Sequence, residues 1–106
     1  MQLTVMERFR LLEILPGQGN FATLKIVHQL KMALAPSEQE LKAFGITEDP
    51  ARPGLLTVER PQAVADIPIG EKATDLIVAT LKKLSKEEKL SLADLSLWEK
   101  FVPGEE

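Results

Sequence analysis

Residues 17–22 read GQGNFA, which fits G-x-G-x-x-A, the glycine pattern that cradles a dinucleotide pyrophosphate. That chemistry needs a buried strand to deliver the backbone to a tight turn. It also needs a following helix whose N-terminus faces the phosphates. The residues ahead of Gly17 do not supply the strand. Glu7, Arg8, Arg10 and Glu13 stand at helical spacing among apolar neighbours. The acid wanted about 20 residues further on would be Glu38 or Glu40, and Ser37 with Glu40 spells a helix capping box instead. GQGNFA therefore reads as a bend between two helices, with Pro16 ending the first and Asn20 capping the second.

The other reactive residue types are similarly placed. His28 is the single histidine. Its helical neighbours Lys25, Gln29 and Met32 offer neither an orienting carboxylate nor further metal ligands, so it reads as a solvated or rim residue. Glu7, Glu40, Glu87, Glu88 and Asp94 read as helix caps or mixed charge runs, and no two of them form a pair in unequal environments suited to acid–base work. Neither S-x-x-K nor G-x-S-x-G occurs, and the chain has no cysteine, which removes thiolates, disulfides and cysteine metal sites. The expectation is no catalytic residue, no metal site and no cofactor. Arg8 stands out because helical projection puts it on the apolar arc of Val5, Phe9, Leu12 and Leu15. A charge there either packs its stem and reaches solvent or pairs with an acid of a second subunit. Trp98, the single tryptophan, lies in the apolar stripe of the last helix as core or dimer anchor.

The elements that position these residues follow from capping and periodicity. Thr4 and Glu7 open a helix over about 4–15, and Asn20 opens a second from Phe21 to about Ala35, closed by Pro36. Ser37 and Glu40 open a short third helix that stops at Gly45. From residue 46 the helical period vanishes, and four prolines fall within 25 residues. LLTVE (55–59) reads as a strand pairing with GIT (45–47) across EDPARPG, with DIPI (66–69) as a third, edge strand. Helical spacing returns at Glu71, with Ala73, Leu76, Ile77, Thr80, Leu81 and Leu84 on one stripe. LSKEEKLS is a charged connection with room for one helical turn of its own. Ser91 and Asp94 begin a last helix carrying Leu95, Leu97, Trp98, Phe101 and Val102, ended by Pro103 and Gly104. The predicted fold is mostly α, of α+β class, with four to five helices. A small antiparallel hairpin or three-stranded sheet is inserted at about residues 45–69, all in one domain spanning 1–106.

The chain has 106 residues with 44% hydrophobic and 27% charged content, the balance of a globular protein. No apolar run is long enough to span a bilayer, and MQLTVMERFR lacks the basic lead and apolar stretch of a signal peptide. A cytoplasmic setting is expected. LTVMERFRLLEILP with GNFATLKIVHQL, SEQELKAFGI, IPIGEKATDLIVATLKKL and LSLWEKFV resembles a set of small uncharacterised bacterial and prophage-type proteins. That resemblance implies a bacterial or phage setting and brings no activity or site with it.

The first helix is apolar nearly all round once Met6 and Ile14 are counted, which calls for burial on all sides. The functional expectation is a non-catalytic interaction or assembly module, a homo-oligomer such as a dimer, or one with another protein partner. Its interface would use Arg8, Phe9, Leu12, Trp98 and Phe101. The alternative is a winged-helix-like DNA-associated regulator, although a net charge of −3 and the acids of SEQELKAFG oppose phosphate contact. A small-ligand or nucleotide binder using residues 17–22 is the third reading.

Overall fold

A computed structural model describes residues 1–52 and 54–102. Along the chain these form β1 (Gln2–Thr4), α1 (Val5–Ile14), α2 (Phe21–Leu34), α3 (Glu38–Ala43), β2 (Ile46–Glu48) and β3 (Leu56–Val58). Then come β4 (Val64–Asp66), α4 (Glu71–Lys86), a 3-10 turn (Leu92–Asp94) and α5 (Leu95–Phe101). The class is α+β, with five α-helices and two antiparallel two-stranded sheets among the described residues.

Helix starts fall where the caps predict them. Thr4 and Glu7 close a reciprocal capping box on α1, and Ser37 and Glu40 close one on α3. The Asn20 side chain accepts from the Thr23 amide at the start of α2, so residues 17–20 form the predicted link between two helices. A third box, Ser91 with Asp94, begins the 3-10 turn that leads into α5.

The strands differ from expectation. β2 and β3 form the predicted hairpin, with Thr47 opposite Thr57 and their hydroxyl oxygens 2.8 Å apart. Gly45 turns the chain out of α3 with φ +64°, a conformation glycine adopts without strain. The third strand neither joins this sheet nor lies at 66–69. It is β4, at Val64–Asp66, and it pairs with β1 at the start of the chain, Leu3 opposite Ala65. Pro68 has no N–H to continue a ladder, so pairing stops just beyond Ile67, whose amide donates to the Met1 carbonyl at 2.8 Å.

The charged connection carries helix as a continuation of α4, not as a separate turn. α4 runs on to Lys86 and closes with Glu88 at φ 58°. The Glu88 amide donates to the Ser85 carbonyl, and the Lys89 amide to that of Leu84. This is the 5→2 and 6→1 pair of a Schellman ending. The predicted stop at Pro103 and Gly104, like Pro53 of the hairpin turn, lies outside the described residues.

The core draws on every helix except α3. Leu3 of β1 and Leu11 of α1 meet Val27, Leu30 and Leu34 of α2, Ile77 and Leu81 of α4, and Leu97 and Phe101 of α5. Within this cluster α1 packs against α2 on one side and the 3-10 turn on the other. The enclosure that sequence assigned to a second subunit is thus largely provided within the chain. Leu12 and Ile14 pack against the core, and Met6 remains half exposed.

Candidate functional site

The three capping-box acids do more than cap. Each accepts a second, long-range hydrogen bond from a base on another helix. Arg8, only 2% exposed, places Nη1 and Nη2 on the two Glu40 carboxylate oxygens at 2.6 and 3.1 Å. Its Nε donates to the Leu34 carbonyl at 3.0 Å, at the C-terminal end of α2, where a cation and a donor are both favoured. Arg8 therefore locks α1, α2 and α3 together. Its side chain does not reach solvent, and its acid is supplied by the same chain. Arg10 makes the same two-pronged contact with Asp94, at 2.6 and 2.9 Å. Lys100 donates to Glu7 Oε1 at 2.6 Å and to the Gln2 carbonyl at 2.9 Å.

These contacts set the protonation of all three acids. The Arg8 hydrogen bond holds the Glu40 carboxyl below its ordinary value against the cost of burial. Arg10 does the same for Asp94. For Glu7 burial is the largest influence and pushes the carboxyl up. The hydrogen bonds from Lys100 and the Thr4 amide, with help from Ser96, outweigh it and the net shift is downward. Glu7 Oε2 is itself buried and has no hydrogen-bond partner among the described residues.

Glu7, Arg10 and Lys100 of these pairs line a cleft of about 850 Å³ between α1 and the 3-10 turn with α5. Its lining mixes apolar with polar and charged side chains. Phe9 is half buried there, Met6 and Leu95 are half exposed, and Leu92 is 87% exposed. Glu13 and Glu99 stand at its rim.

A second apolar surface lies on α2. Val27, Leu30 and Leu34 face the core. At helical spacing on the other side run Phe21 (82% exposed), Lys25, His28 and Met32 (68% exposed), with Leu24 and Lys31 beside them. This 14-residue helix contains no acid. Neither Lys25 nor Lys31 has an ion-pair partner among the described residues.

The residues expected at an interface are scattered rather than gathered. Arg8 and Phe101 are buried inside the protomer, Leu12 and Trp98 pack against the core, and Phe9 alone lines the cleft. Met6 entered the sequence reading only as part of an all-apolar first helix, and Leu92, Phe21 and Met32 were not proposed as interface residues. The acid-free run FATLKIVHQLKMAL is the one sequence signal that points to the α2 surface. Against models of known families, curated proteins and solved structures, the chain has no match. His28 sits exposed on α2, and among the described residues no three His, Asp or Glu side chains are grouped to hold a metal. α3, the element a winged-helix reading would put in the DNA groove, is six residues long, with Glu38 and Glu40 against the single base Lys42.

Proposed function

We propose that this chain is a non-catalytic assembly module that associates through its exposed apolar surfaces. The observation that carries the reading is the exposure of large apolar side chains at two places, Met6, Leu92 and Leu95 at the α1–α5 cleft and Phe21, Leu24 and Met32 on α2. Exposed apolar surface rimmed by polar residues is where another surface binds. The acids nearest the cleft support the same reading. Glu7 and Asp94 are taken up as helix caps and ion pairs, so their chemistry is spent on holding helices in place.

The test is the mass of the protein in solution as a function of concentration. Association predicts a weight-average mass that rises above 11.8 kDa across the micromolar range in sedimentation velocity. It also predicts that Leu92→Lys, at a side chain with almost no role in the core, lowers that mass without lowering the melting temperature. A protein that stays at the monomer mass up to millimolar concentration overturns the proposal.

A further inference from the structure

The two apolar patches differ in charge, and the difference selects how copies join. The α2 surface carries Lys25 and Lys31 and no acid. The cleft is lined by Glu7, Glu13 and Glu99 against Arg10 and Lys100, three acids to two bases, and Asp94 lies buried against Arg10. Those two bases are already occupied within the protomer, Arg10 by Asp94 and Glu13 and Lys100 by Glu7. The charge left unmatched at the cleft is therefore negative, and at α2 it is positive.

Joining two α2 surfaces would set lysines against lysines. Joining two clefts would set Glu13 and Glu99 against their copies. Like charges brought together across an interface repel. We infer that copies of this chain assemble head to tail, the outer face of α2 from one copy lying in the α1–α5 cleft of the next. This rests on the self-association proposed above and specifies its geometry. Lys25 and Lys31 would then meet Glu13 and Glu99, while Phe21 and Met32 cover Leu92 and Leu95. The buried Oε2 of Glu7, which lacks a donor, lies at the cleft these lysines enter.

The two patches also lie on opposite sides of the protomer. Met6, Phe9, Arg10 and Glu13 follow one side of α1, whereas Arg8, Leu11 and Leu15 follow the side turned to the core and α2. Occupying one patch leaves the other open. Such a heterologous contact continues into a ring if its rotation closes and into a filament if it does not.

Two doubly substituted proteins test this. Phe21→Glu/Met32→Glu spoils the α2 surface and keeps the cleft. Leu92→Lys/Leu95→Lys spoils the cleft and keeps α2. Each alone is expected to stay monomeric, and an equimolar mixture is expected to give a species of twice the 11.8 kDa monomer mass that grows no further. If the wild type associates but the mixture stays monomeric, or if either variant alone assembles as the wild type does, head-to-tail assembly is wrong and association as such survives. A monomeric wild type removes both. Should either variant melt below the wild type, Lys25→Glu/Lys31→Glu and Glu13→Lys/Glu99→Lys replace the pair. Each of these alone loses association, and one chain carrying all four changes regains it. Failure of that rescue overturns the inference.

Discussion

Arg8 and Glu40 form a pair whose halves are not equivalent. Arg8 is almost wholly enclosed, whereas Glu40 keeps about a quarter of its side chain in contact with solvent. Removing the acid strands a buried cation, and removing the base lets the carboxylate return to water. Glu40→Gln keeps the capping geometry and should cost about 3 kcal/mol, the scale for an uncompensated buried charge. Arg8→Met should cost roughly 1 kcal/mol, the scale of lost hydrogen bonds offset by apolar packing. Urea denaturation of both variants decides the order, and equal losses would show that burial of Arg8 is not what matters. Sequence placed Arg8 on an apolar face, which was the legible half. Its partner was hidden because Glu40 already had a complete explanation as the third residue of a capping box. A side chain that serves locally can serve a distant helix as well, and spacing along the chain reports only the local role.

At the scale of elements, what could be read depended on whether the signal was local. Thr4–Glu7, Ser37–Glu40 and Ser91–Asp94 each formed the box they spelled. β1 was invisible because three residues carry no period and their partners Val64–Asp66 lie about sixty positions away. The end of α4 was missed for a different reason. The left-handed position that closes it is filled by Glu88, where glycine is the usual signal. That choice strains the backbone by roughly 1 kcal/mol. Glu88→Gly should therefore raise stability slightly, by up to about 0.5 kcal/mol, once the greater freedom it gives the unfolded chain is subtracted. Thermal denaturation should show a higher midpoint, and a lower one would mean that the Glu88 side chain contributes a contact worth more than the strain.

For the whole molecule, the three coupled caps predict a particular response to acid. Glu7, Glu40 and Asp94 are all held below their ordinary values in the folded state. A carboxyl with a depressed folded value adds stability that is complete above its unfolded value and is lost as pH falls through the folded one. Stability should therefore hold near neutrality and decline once pH drops below about 4.5, the ordinary glutamate value. Denaturant midpoints measured from pH 7 to pH 2 follow this directly. Glu40→Gln should flatten the decline, since it removes one of the three titrating groups, and an unchanged slope would assign the acid response elsewhere.

The contact between Lys100 and the Gln2 carbonyl, with β4 lying against β1, gives the fold an order of completion. The strand that leads into α1 gains its neighbour only after β4 exists, and its last anchor only after α5 exists. A chain emerging from the ribosome must hold Leu3 and the start of α1 unsatisfied until nearly everything described here has been made. Contacts this far apart in sequence slow folding, because the loop between them must close first. Cutting the chain before residue 95 should accordingly release its beginning as well as its end.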